Sequence, residues 1–141
     1  MERHEKLVKD YFVKNGIIFQ QSITSARFIR GKWFAQRNDI FSVFDFMIAA
    51  NGDNFILIQV TSDTNSTNRK SKIIDNFVNP VDKKYKYFKY EVYLLLYKKI
   101  KNRIKWKLIK LKYLIKDWIE WKEVNKEWTD LDDLFKLIKL R

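Results

Sequence analysis

Apolar positions are densest between Asn38 and Ser62, NDIFSVFDFMIAANGDNFILIQVTS, where two runs, Val43 to Ala50 and Phe55 to Val60, flank Asn51-Gly52-Asp53-Asn54. Their β-branched and aromatic content, with a turn signal between them, predicts a buried central β-hairpin. Upstream, Leu7, Val8, Tyr11 and Phe12 recur at helical spacing over Glu2 to Asn15, with Asn15-Gly16 as the stop signal. GIIFQQSITS, Gly16 to Ser25, alternates as a strand. Downstream, Ile73, Ile74, Phe77 and Val78 mark a helix over Arg69 to Asn79, capped by Thr67 or Asn68 and closed by Pro80. VYLLLY, Val92 to Tyr97, is apolar throughout and predicts a strand covered on both faces, parallel to Ile56–Val60 across the helical crossover. A basic turn, Lys98 to Arg103, leads into IKWKLIKL, which alternates as a half-exposed edge strand. Tyr113 to Trp121 reads as a short helix. A last helix is capped by Thr129, has Asp130, Asp132 and Asp133 in its first turn, and turns Leu131, Leu134, Phe135 and Ile138 inward.

The polar exceptions inside the central hairpin carry the chemistry. Asp45, Gln59 and Thr61 sit among apolar neighbours, and a buried polar group costs free energy unless it is paired. A two-residue Asn-Gly turn would set Asp45 opposite Ile58 and send Gln59 to the other face. A longer loop or a bulge sets Asp45 opposite Gln59, and we take this register because it gathers all three polar side chains.

Composition narrows the classes of function. The 141 residues suit one domain with a real core, 46% hydrophobic and 16% aromatic. Zero cysteines and one histidine exclude thiol nucleophiles, redox pairs and Cys- or His-rich zinc sites, and leave His4 as the sole histidine for any triad. No apolar run is long enough for a transmembrane helix and the N-terminus is too charged for a signal peptide, so the expectation is a cytoplasmic protein without a membrane partner. A net charge of +12 points to a polyanion, nucleic acid foremost. Basic and aromatic residues interleave at ARFIRGKWFAQRND, where Arg27, Arg30, Lys32 and Arg37 accompany Phe28, Trp33 and Phe34, and again at KKYKYFKY, Lys83 to Tyr90. An ordinary hairpin with an apolar inner face has the same pattern. Arg69, Lys70 and Lys72 gather at the expected first turn of their helix, where an anion would offset their clash with the macrodipole.

Asp45, a hairpin, then Gln59-Val60-Thr61 resembles the signature of the PD-(D/E)xK nucleases, the restriction-endonuclease-like superfamily. Within it the chain is most similar to small archaeal and phage proteins of the Holliday-junction-resolvase and RecB-like kinds. The likeness covers roughly the N-terminal two thirds of the chain. It departs from the pattern where Gln59 stands for the acid and Thr61 for the lysine. The resemblance implies an α/β fold: an αβββαβ core with a central mixed sheet flanked by helices over about 1–98, and an extra C-terminal strand and helix over about 99–141. It implies Mg²⁺- or Mn²⁺-dependent hydrolysis of phosphodiester bonds in DNA, branched or single-stranded forms included, with a homodimer as the candidate partner arrangement. The metal would be held by Asp45, Gln59 and the Val60 carbonyl, and the catalytic set would be Asp45, Gln59, Thr61, Glu5 and Lys72, with Lys70 as the other candidate for a displaced lysine. Nucleic acid would be held by Arg27, Arg30, Lys32, Arg37, Arg69, Lys70 and Lys72.

Each of these readings has a plainer counterpart. Glu5 is equally an exposed helix-start carboxylate, Asp39 either a second metal carboxylate or a residue that begins a strand, and Asp45 a structural Asp bonded to Gln59 and Thr61. At the level of function, the counterparts of the nuclease are an inactive nuclease-fold module that binds nucleic acid, and a basic subunit whose Trp residues meet a protein partner.

Overall fold

Strands dominate the chain, as its β-branched and aromatic runs require. The computed structural model describes residues 3–41, 43–49, 55–80, 90–115 and 118–138. Helix α1 (Arg3–Lys14) is followed by β1 (Phe19–Gln21), β2 (Ile23–Ile29), β3 (Lys32–Asn38), β4 (Phe46–Ala49) and β5 (Phe55–Ser62). A 3₁₀ turn (Asp63–Asn65) leads into α2 (Ser66–Ile73) and a π-helical segment (Ile74–Val78), and β6 (Tyr90–Ile100), β7 (Arg103–Ile115), β8 (Trp118–Glu123) and α3 (Leu131–Phe135) complete the order.

Six strands form one mixed sheet in the order β1-β4-β5-β6-β7-β8, and β2 and β3 form a separate two-stranded sheet. The central hairpin keeps the expected register over β4, where Phe46 pairs with Ile58 and Ala49 with Phe55, but Asp45 is not paired with Gln59 as expected: it precedes β4 and its N–H goes to the Ile58 carbonyl. The Asn51–Asn54 turn that joins its strands lies outside the described residues. β5 and β6 run parallel, as expected for strands joined through a helix, and the other pairings are antiparallel.

Alternation along the strands divides the core into two layers. On one side Phe46, Ile48, Ile58, Val60, Tyr93, Leu95, Trp106 and Leu108 meet Val8 and Phe12 of α1 and Leu134 and Phe135 of α3. Phe12 is fully buried, with ring centroids 5.4 Å from Phe46 and 5.3 Å from Phe135. Burying a ring of that size is worth roughly 1.5–3 kcal/mol. On the other side Leu57, Val92, Leu94, Leu96, Ile109 and Leu111 meet Ile73, Phe77 and Val78 of the α2 segment. A helix layer on each face explains why β5 and β6 carry nearly continuous apolar runs.

Several elements differ from their sequence patterns. Residues 16–25 form two strands, because Ser22 leaves the main sheet and β2 starts the separate hairpin. Residues 118–121, expected in a helix, belong to β8, whose pairing with β7 (Leu111 with Trp121) overrides a local pattern that serves either period. β7 is therefore an interior strand, β8 takes the edge, and the C-terminal extension holds two strands. α2 starts at Ser66 with Asn65 as its N-cap, upstream of Thr67 and Asn68, and the helical run reaches Pro80 itself. α3 is capped at Asp130 because Thr129 is bridged to Trp106 through two backbone bonds of 2.8 and 3.0 Å. The basic turn narrows to Lys101-Asn102, both at positive φ (49° and 65°), in a two-residue hairpin turn between Ile100 and Arg103. Gly16, at φ 67°, ends α1 as the sequence indicates.

Candidate functional site

Asp45 is placed by the turn before it. Ile40 and Phe44 exchange two backbone hydrogen bonds of 2.8 Å, and Val43 and Phe44 are fully buried, so the chain reaches Asp45 with little freedom. The Asp45 N–H donates to the Ile58 carbonyl (3.0 Å), although Phe46 is the residue paired with Ile58, so two successive residues address one partner and the ladder kinks there. The Asp45 carbonyl accepts from the Ser22 N–H (2.8 Å) on the β1 side. Its carboxylate Oδ2 accepts from the Val60 N–H at 2.7 Å, continuing the ladder with a side chain where the backbone has turned away.

That bond brings the expected residues together, because Val60 lies between Gln59 and Thr61. Gln59 and Thr61 stand beside Leu94 and Leu96 of β6, in the layer beneath α2. Asp45, Gln59 and Thr61 are only 5%, 3% and 5% exposed, and with Glu5 and Asn125 they make up the buried polar residues among those described. Burial of three neighbouring polar residues needs a reason. The Gln59 Oε1 accepts no hydrogen bond, an arrangement that ordinarily costs about 1–3 kcal/mol.

Glu5 is buried, which rules out the exposed helix-start reading. It belongs to α1, which packs on the layer opposite Gln59 and Thr61. Its neighbour His4 stacks on Tyr97 with ring centroids 3.6 Å apart, and Tyr97 is the register partner of Ser62. The first turn of α1 therefore lies over the Thr61 end of β5, from the other side of the sheet.

The cations divide differently from the sequence expectation. With α2 starting at Ser66 and the helical run continuing to Pro80, Lys70 and Lys72 lie beyond the first turn, in the middle of that run, and not at the N-terminus where the sequence put them. Lys70 Nζ sits 6.0 Å from the Trp121 ring on β8, three strands away from β5, so it is directed away from Asp45. Arg69 and Lys72 are half-buried. Arg30 and Lys32 are exposed at the tip of the β2–β3 hairpin, and Arg27 and Arg37 lie on its two strands. Asp39 follows β3, outside the central strands, and Lys83–Lys89 lie outside the described residues. On the α1 side of the sheet an open depression of about 270 Å³ is lined by Tyr93, Lys110, Lys112 and Lys122. Lys110 bonds Glu91 at 2.9 Å, and Lys122 holds the Lys112 ammonium below the usual lysine range.

As a metal site, the candidate ligands are the oxygens of the Asp45 carboxylate, the unpartnered Gln59 amide and the Val60 carbonyl, a set that would suit a hard divalent cation. The charge is low, since among the described residues no group of three or more acidic, His or Cys side chains converges. Two further features were not singled out in the sequence. Asn125 is a buried clamp that accepts from the Leu108 N–H (2.8 Å) and donates to the Trp106 and Glu127 carbonyls. Trp128 lies under the ammonium groups of Lys98 and Lys107, at 4.3 and 5.2 Å. Among the described residues no helix is long and apolar enough to cross a membrane. Comparison with protein-family models, curated proteins and solved structures finds no match.

Proposed function

We propose that this chain is a metal-dependent endonuclease-like protein that hydrolyses phosphodiester bonds in DNA, with its site at Asp45, Gln59 and Thr61. The observation that carries the reading is the Asp45 carboxylate seated on the backbone between Gln59 and Thr61, beside a buried Gln59 oxygen that no donor satisfies. The order of elements supports it as well. With the β2–β3 hairpin taken as an insertion, α1, β1, β4, β5, α2 and β6 run in αβββαβ order, with β1, β4 and β5 antiparallel and β6 parallel to β5.

Asp45, Gln59 Oε1 and the Val60 carbonyl would hold Mg²⁺ or Mn²⁺; Glu5, expected in the catalytic set, lies in the α1 layer on the other face of the sheet from Gln59. Bound there, the ion supplies Lewis-acid polarisation of the phosphate and a water of lowered pKa. The chain's own part is to fix these oxygens: the kink at Asp45 aims the carboxylate, and strand pairing holds Gln59 and Thr61. Lys72 is the remaining candidate for a lysine near the phosphate, and the basic residues of the hairpin and of α2 would bind the nucleic-acid backbone.

A second reading, an inactive nuclease-fold module that binds nucleic acid, is favoured by Thr61 in the lysine position and by Lys70 turned toward Trp121. One assay separates the two: linear, single-stranded and four-way-junction DNA incubated with Mg²⁺ or Mn²⁺, comparing the wild type with Asp45→Ala. The nuclease gives cleavage that needs metal and disappears in the variant. Binding without cleavage, indifferent to metal and to the substitution, overturns it in favour of the module.

A further inference from the structure

The β2–β3 hairpin is a separate two-stranded sheet, and its tip carries large apolar surface. Phe28 and Trp33 are direct cross-strand partners, with ring centroids 5.2 Å apart, yet they are 61% and 71% exposed. Ile29 beside them is exposed too. Rings of this size are ordinarily buried, and a clustered exception marks a contact surface. The turn adds charge. Arg30 occupies a left-handed position (φ 51°) before Gly31 (φ 77°), a place where Asn or Gly is favoured, and Lys32 follows at once. The tip thus presents two π-faces beside a guanidinium and an ammonium.

We infer that this hairpin is an arm that binds nucleic acid through unpaired bases, which stack on Trp33 and Phe28 while Arg30 and Lys32 hold the adjoining phosphates. The inference rests on the reading that the chain acts on nucleic acid, and supplies the substrate class: DNA with single-stranded character. The occupant follows from charge. A second copy of the chain would bring its own +12 to the same surface, whereas a polyanion with flat apolar bases matches both halves of the tip. A duplex offers phosphates but keeps its bases stacked inside.

The test is fluorescence anisotropy in EDTA, so that binding is read without cleavage. The probes are a labelled single strand of about 20 nucleotides, an abasic strand with the same backbone, and a duplex of equal length. The variants are Trp33→Ala with Phe28→Ala, and Arg30→Asn, which removes the charge while suiting the turn. The double variant is expected to bind the single strand about tenfold or more weakly, with little change on the abasic strand or the duplex. Arg30→Asn is expected to weaken all three probes and reduce the salt dependence. Equal binding of the single strand by wild type and the double variant overturns the inference and leaves the nuclease reading to its cleavage assay. So does an unchanged DNA affinity accompanied by loss of a dimer in sedimentation, which would make the arm a self-association surface. A protein that never cleaves but loses single-strand binding in the double variant fails as a nuclease and keeps the arm.

Discussion

At the scale of single residues, Gln59 is where, on the proposed reading, stability and use would conflict. A core amide with an unsatisfied oxygen lowers stability, and such positions persist where function needs them. Gln59→Leu, of similar volume and without the orphan oxygen, is expected to raise stability by about 1 kcal/mol in urea unfolding while abolishing any metal-dependent cleavage. A drop in the urea midpoint would make Gln59 a structural residue. The burial of Asp45, Gln59 and Thr61 was legible in the sequence, because each stands inside an otherwise apolar run. The burial of Glu5 was not, since its place ahead of the α1 apolar stripe suits solvent, and only the packing of α1 over the end of β5 encloses it. The direction of Lys70 depends on how α2 crosses the sheet, which the residues of α2 alone do not encode.

At the scale of elements, local pattern worked where one period dominated and failed where a neighbour decided. The central hairpin, β6 and α1 were legible for the first reason. β8 was misread because the Trp and Ile positions of YLIKDWIEW satisfy helical and strand spacing alike, and the partner strand β7 selects one. The β6–β7 connection shows a local rule under strain. Lys101 takes a left-handed conformation that costs an ordinary L-residue about 1–2 kcal/mol. Lys101→Asn is expected to recover about 0.5 kcal/mol or more in chemical denaturation, because Asn tolerates that region. A loss of stability on that substitution would mean that the Lys101 side chain itself holds the turn.

At the scale of the molecule, high pH reaches the fold through one group of side chains. The Tyr93 hydroxyl is raised by burial and further by Glu91, with Lys110 opposing. For the Lys110 ammonium, burial pulls the pKa down, but the hydrogen bond to Glu91 and the nearby Tyr93 outweigh that and leave it raised. Both groups bind their protons more tightly in the folded protein. The stability they lend is therefore complete below their unfolded values and is lost as pH rises through the folded ones, above about pH 10. Urea midpoints are expected to fall in that range, and Glu91→Gln, which removes a cause of both shifts, should make the alkaline decline shallower. An unchanged alkaline limb in that variant would count against the coupling.

The β2–β3 arm has a consequence for how the chain can change over generations. It leaves the main sheet at Ser22 and returns by Asp39, and its first pair, Ile23 with Asn38, closes it at the base. Across that base the Ser22 N–H bonds the Asp45 carbonyl at 2.8 Å, and Gln21 pairs with Phe46, so the strands on either side are already joined. The register of the six-stranded sheet therefore carries no information about the length of the arm. Mutation can lengthen, shorten or rewrite it as a cassette while the two core layers keep their partners, so the arm can diversify at a rate that the core does not set.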